Sequence, residues 1–108
     1  MNEEKTRALH RQLSTTKHAT QKRELEIAAM TYAHLRAQWA LAPSDERSEM
    51  DSARTAAHNA LIDSCNILSR AMTRSGEDSS WRASLGDDRK VIGDFACHLH
   101  CLLAISAR

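Results

Sequence analysis

Helix breakers are almost absent from this sequence: proline occurs once, at Pro43, and no glycine precedes Gly76. A proline costs about 3 kcal/mol and a glycine about 1 kcal/mol in a helix interior, so the first 75 residues are written for two long helices. Aromatic residues are also scarce, with two Trp, one Tyr and one Phe. Of the 45 hydrophobic residues, 17 are Ala and 3 are Cys, leaving 25 large side chains for a core. Such a core is thin, and a lone chain of this composition is only modestly stable. One domain spanning 1–108 is expected, because the length suffices for independent folding.

Charge of one sign is lacking as well. A formal net charge of +1 exerts no global pull toward nucleic acid, anionic lipid or acidic substrates. Three cysteines, an odd number with Cys97 and Cys101 four apart, do not form a secreted disulfide framework, and reduced cytoplasmic thiols are expected. No apolar run follows the N-terminal Met1-Asn2-Glu3-Glu4-Lys5, so no signal peptide is expected. The longest apolar stretch, Phe95 to Ile105, has 11 residues and two His, against the roughly 20 that a membrane span needs.

What is present is helical periodicity. A long first segment, about 3–42, changes character near residue 24. Residues 1–24 read as a basic helical arm with a narrow stripe of Leu9, Leu13, Thr16, Thr20 and Ile27. In 25–42, Leu25, Ala28, Tyr32, Leu35 and Trp39 make one apolar face, while Ile27, Met30, Ala37 and Leu41 make a second on the opposite side. Pro43 ends this helix, with Ser44 as the expected N-cap and Asp45 and Glu46 complementing the dipole of the next. That helix, 45–74, carries a core stripe of Met50, Ala57, Leu61, Cys65, Leu68 and Met72, flanked by Ile62 and Ile67. Arg54 projects onto the middle of this stripe, which calls for an acidic partner at a helix interface or for first turns that overrun the core.

Gly76 supplies a left-handed C-terminal cap. The connection over 77–86 has room for one helical turn, in which Trp81 and Leu85 plug the end of the bundle. Asp87 and Asp88 begin a last helix, 87–106, in which Val91, Ile92, Phe95, Ala96, Leu99, Leu102, Leu103 and Ile105 cover more than half the circumference. This reads as the central helix. The expectation is an all-α, three-helix up-down bundle with a long N-terminal helix, completed by dimerisation.

Three constellations invite functional readings. Arg7, Arg11, His18 and Lys22 fall within about 60° of one another on a continuous helix and form a ridge suited to an acidic partner or a phosphate backbone. It lacks interleaved aromatics and any helix-turn-helix pattern, so a solvated face explains it more simply and nucleic acid is disfavoured. Asp94, Cys97, His98 and Cys101 lie along one side of the last helix and comprise possible zinc donors. Consecutive turns of one straight helix do not readily surround a tetrahedral ion, however, and no metal or other cofactor is expected. A polar column of Asn59, Asp63, Asn66 and Arg70 occupies a solvent face of the middle helix.

The stretches His58-Asn59-Ala60-Leu61-Ile62-Asp63, Asn66-Ile67-Leu68-Ser69-Arg70, Trp81-Arg82, Leu85-Gly86-Asp87-Asp88-Arg89 and Ile92-Gly93-Asp94-Phe95-Ala96 resemble a family of small bacterial helical domains of unknown function. The resemblance implies a helical fold in a bacterial cytoplasm and assigns no catalytic or ligand residue. The resulting functional expectation is a non-enzymatic interaction or assembly module, homodimeric through Leu9, Leu13, Ile27, Met30 and Leu41, with an unidentified protein as a further partner. Two alternatives are a small nucleic-acid-associated or regulatory protein using the basic arm, and a metal- or thiol-dependent protein using the Asp94/Cys97/His98/Cys101 side.

Overall fold

A computed structural model describes residues 2–106; Met1 and residues 107–108 of the expected 1–108 span lie outside the described residues. The described residues are all-α without strands: α1 (Glu3–Leu13), α2 (Ala19–Leu41), α3 (Ser44–Arg74), α4 (Trp81–Leu85) and α5 (Arg89–Ser106). There are five helices rather than three, and the main departure is at the N-terminus, where the long first helix divides over 14–18.

No proline or glycine marks that break. Its cause is a run of short hydroxyl side chains that compete for backbone hydrogen bonds. Ser14 Oγ donates to the Arg11 carbonyl at 2.6 Å, and Thr16 Oγ1 accepts from the His18 amide at 3.3 Å. The turn is then clamped to the loop after α3. Lys17 N donates to Glu77 Oε1 at 3.3 Å, His18 Nε2 lies 3.2 Å from Glu77 Oε2, and Ser75 Oγ donates to Glu77 Oε2 at 3.0 Å. Desolvation works against ionisation of Glu77, but the hydrogen bonds from Thr16, Ser75 and the Lys17 amide together with His18 outweigh it, so its carboxyl sits below the ordinary glutamate value.

The fold back makes α1 part of the core instead of a protruding arm. Leu9 and Leu13 are only 7% and 2% exposed, packed among buried residues of α2, α3, α4 and α5. Thr6 is fully buried beside His98 of α5, at 3.5 Å, and its hydroxyl donates to the Asn2 carbonyl at 3.1 Å. The assignment of Leu9 and Leu13 to a face between two copies is thereby corrected.

The central helix is α2, not α5. It packs along both α3 and α5, which barely touch each other. Pairings of His18 with Ser75, Tyr32 with His58 and Trp39 with Arg54 show that α2 and α3 run antiparallel. Those of His34 with His100 and Arg36 with Asp94 show the same for α2 and α5. The inner side of α2 buries Leu25, Ala29, Tyr32 and Ala33 against Leu61, Cys65 and Leu68 of α3 and Ile92, Phe95, Ala96 and Leu99 of α5. The last turns of α5 are less covered, leaving Leu102 and Leu103 half-buried and Ile105 exposed.

Local signals in the loops match their sequence. The α3 end is a Schellman motif: Gly76 has φ 80°, Glu77 N donates to Met72 O at 2.8 Å and Gly76 N to Thr73 O at 3.2 Å. In α4, Trp81 and Leu85 are buried as a plug, with Trp81 Nε1 donating to Met72 Sδ at 3.4 Å. Asp88 Oδ1 caps α5 by accepting from Lys90 N at 2.9 Å and Val91 N at 3.1 Å. Ser44, in contrast, starts α3 as its first residue behind Pro43 and makes no capping bond. No helix among the described residues is long and apolar enough to cross a membrane.

Candidate functional site

With 31 residues, α3 is about 46 Å long and overruns the core at its N-terminal end, where residues 44–56 include no buried side chain. The last turns of α2 accompany it, and α5 begins alongside. Between these three ends is a cleft of about 460 Å³ lined by Tyr32, Arg36, Trp39, Arg54, Arg89 and Lys90, with Ala40 at its edge.

Trp39 organises the cleft. The guanidinium carbons of Arg47 and Arg54 lie 4.4 and 4.3 Å from its ring centroid, so two cations share one aromatic ring. Arg47 also donates to the carbonyls of Trp39 at 3.1 Å and Ala40 at 3.2 Å. The last turn of α2 contains no basic residue of its own, and Arg47 supplies the cation that its dipole favours. Besides Trp39, Arg54 meets Asp51, at 3.4 Å within its own helix. Of the two conditions raised by its place in the stripe, the second is realised: the first turns of α3 lie beyond the core, whereas Asp51 is an exposed neighbour on the same helix and not an acid at a helix interface.

Across the cleft, Arg36 reaches over α5 to Asp94 at 2.9 Å and donates to Cys97 Sγ at 3.8 Å. Gly93 makes that crossing possible: a Cβ there would sit 2.9 Å from Arg36 Nη1. Burial works against ionisation of Asp94, yet the hydrogen bond and charge of Arg36, helped by Lys90, hold its carboxyl below the usual aspartate value. Desolvation likewise opposes the Arg36 charge and is outweighed by Asp94 and Cys97, so its affinity for the proton is raised. Arg89 donates to Thr55 Oγ1 at 3.3 Å. Among the described residues no acid lies within ion-pair distance of Arg47, Arg89 or Lys90, although Lys90 is near enough to act on the charge of Asp94. Trp39 Nε1 and Arg54 Nε are buried without a hydrogen-bond partner.

Sequence reasoning placed Trp39 on an apolar face and singled out Arg54, but it did not bring Arg36, Arg89 and Lys90 to them. The basic residues it chose instead are dispersed. Arg7 and Arg11 lie on α1, with Arg7 bonded to Glu3 at 3.1 Å, while His18 faces Glu77 and Lys22 on α2 lies 3.7 Å from the buried Glu26. The break at 14–18 removes the continuous helix on which the four form one ridge.

The proposed zinc donors are dispersed too. Asp94 and Cys97 engage Arg36, His98 lies beside Thr6, and Cys101 is exposed. No three His, Cys, Asp or Glu side chains among the described residues converge to hold a metal ion. Cys65 is fully buried, and desolvation, partly opposed by Arg82, pushes its thiol up to about 12. In the polar column, Asn66 is taken up by Arg82, which donates to Oδ1 at 2.7 Å.

No family model, curated protein or solved structure matches this chain.

Of the residues assigned to a face between copies, Met30 is half-buried, whereas Ile27 and Leu41 are 47% and 87% exposed. They share the side of α2 turned away from the core and are separated by 14 residues, about 21 Å along the axis. His34 and Gln38 lie exposed between them. A second cavity of about 420 Å³ between α1 and α4, lined by Lys5, Ala8, Leu9, Gln12, Trp81 and Ser84, is largely apolar and sets no base beside the Ser84 hydroxyl.

Proposed function

We propose that the protein is a non-enzymatic helical interaction and assembly module, homodimeric through the outer side of α2. The observation behind this reading is that two large apolar side chains, Ile27 and Leu41, stay exposed on the side of α2 that the core does not occupy. Leu25, Ala29, Tyr32 and Ala33 are buried within the chain, while Ile27 and Leu41 remain on the surface. Twofold pairing of α2 with a second copy sets the Ile27 end of each helix against the Leu41 end of the other, and closed C2 pairs are the commonest oligomeric solution. In this reading α2, α3 and α5 form a three-helix core completed by the second copy, with an unidentified protein as a further partner. Three free cysteines suit a reducing bacterial cytoplasm. Burial raises the Cys65 thiol pKa, which opposes nucleophilic use of that residue at neutral pH.

Sedimentation velocity of the wild type beside Ile27→Asp/Leu41→Asp tests the proposal. Both positions are exposed, so the double variant should keep its helical signal and sediment at the monomer mass while the wild type sediments at twice that mass. Equal masses for the two proteins would overturn the reading.

A further inference from the structure

We propose that the cleft between the ends of α2, α3 and α5 binds the phosphate group of a small organic phosphate monoester. The site is independent of the outer face of α2.

The charge balance of the cleft comes first. Arg36, Arg47, Arg54, Arg89 and Lys90 gather in or beside it, and only Asp94 and Asp51 are paired with them, on Arg36 and Arg54. The remaining positive charge is concentrated in a concave site on a chain whose formal net charge is +1. Such a concentration is repulsive in the free protein and is relieved by a multivalent anion.

Hydrogen bonding points the same way. The donors Trp39 Nε1 and Arg54 Nε are buried without acceptors, an arrangement that costs on the order of 1–3 kcal/mol per group until one is supplied. Cysteine and carboxylate acceptors on the far wall are engaged by Arg36. What the cleft lacks is an acceptor-only group with several oxygens. Entry of a ligand oxygen between Trp39 and Arg54, with part of the arginine stack turning toward it, meets both needs.

Phosphate fits better than a carboxylate. A monoester carries a charge of about −1.5 to −2 at neutral pH and three terminal oxygens, against one charge and two oxygens. Arginine is the side chain that recognises phosphate with paired donors. The N-terminus of α5 is not the recognition element, because Asp88 already occupies its free amides. Bare phosphate leaves most of the 460 Å³ empty. That volume lies within the roughly 300–1,000 Å³ range of small-molecule sites, and leaves room for the esterified group beside the arginine-covered Trp39 ring. A nucleic-acid backbone is disfavoured, since successive phosphates need cations along a row, and these line a single cleft.

Phenyl phosphate is a suitable probe, followed by calorimetry and by the fluorescence of Trp39; the other tryptophan, Trp81, is buried away from the cleft beside Met72. The full chain should bind it saturably at one site per chain. Arg89→Gln/Lys90→Gln alters two exposed side chains, so the fold is kept, and affinity should fall by about tenfold or more on loss of two charged contacts. Benzoate, of similar size, should bind at least about tenfold more weakly. Absence of saturable binding, equal affinity of the double variant, or equal affinity for benzoate would each overturn the assignment. So would tighter competition by a DNA duplex, or sedimentation with phosphatidic acid vesicles in place of binding the free ester.

Discussion

Gly93→Ala isolates the contact that joins the cleft to the core. Glycine inside α5 is unfavourable by about 1 kcal/mol relative to alanine, and Gly93 is buried. The structural reason for tolerating it is the Arg36 guanidinium, whose Nη1 would be 2.9 Å from the new methyl group. The obstructing atoms are the far end of a flexible side chain, so Arg36 swings aside and releases Asp94. That ion pair is partly exposed, 31% and 27% on its two side chains, and its loss costs no more than about 1 kcal/mol after solvent screening. Gain and loss nearly cancel, and the melting temperature should remain within about 8 °C of the wild type. The sharper readout is the Asp94 titration followed by carboxyl NMR, which should move up toward the ordinary aspartate value. Because the folded-state value is depressed in the wild type, the pair stabilises above the ordinary aspartate range and loses its contribution as pH falls through the folded value. The stability difference between wild type and variant should therefore shift in favour of the variant on acidification. A loss above about 3 kcal/mol, or an unmoved Asp94 titration, would refute the argument that a displaceable guanidinium is what Gly93 accommodates.

Leu13→Ala should cost about 2–5 kcal/mol in urea unfolding, because Leu13 lies inside the chain; a surface-like loss below 0.5 kcal/mol would restore the protruding arm. Thiol titration should label exposed Cys101 first and fully buried Cys65 only on unfolding, and rapid native labelling of Cys65 would contradict its burial. Glu77→Ala, which removes the acceptor, should raise hydrogen exchange at the Lys17 amide, bonded in the wild type to Glu77 Oε1. Wild type should show the same change on acidification: this carboxyl is depressed in the fold, so its contribution is present above the ordinary glutamate range and fades below it. Exchange at Lys17 that ignores both perturbations would remove Glu77 from the clamp.

The features legible in the sequence are those whose cause is local. Gly76 had to be left-handed to cap α3, Asp88 had acidic cap chemistry, and Trp81 and Leu85 had the spacing of a one-turn plug; each depends on a few neighbouring residues. Arg54 was legible as an anomaly, since a cation centred on an apolar stripe demands an explanation. The break at 14–18 was not, because weak breakers act together: Ser14, Thr15 and Thr16 become a turn when Glu77, some 60 residues away, bonds its backbone. Once α1 folds back, Leu9 and Leu13 exchange an intermolecular role for an internal one, and the ridge of Arg7, Arg11, His18 and Lys22 comes apart. The cleft was illegible for a related reason. Arg36, Arg54 and Arg89 belong to three helices, and only the antiparallel register of α2 with α3 and α5 brings them into one cleft with Trp39.

The central claim, that the outer side of α2 is covered by a second copy, is tested most directly by static light scattering of the wild-type protein across a micromolar concentration series. The account predicts a mass of twice the 12.1 kDa of one chain, falling toward that of one chain only on dilution. A well-folded protein that remains at 12.1 kDa throughout the series would contradict it.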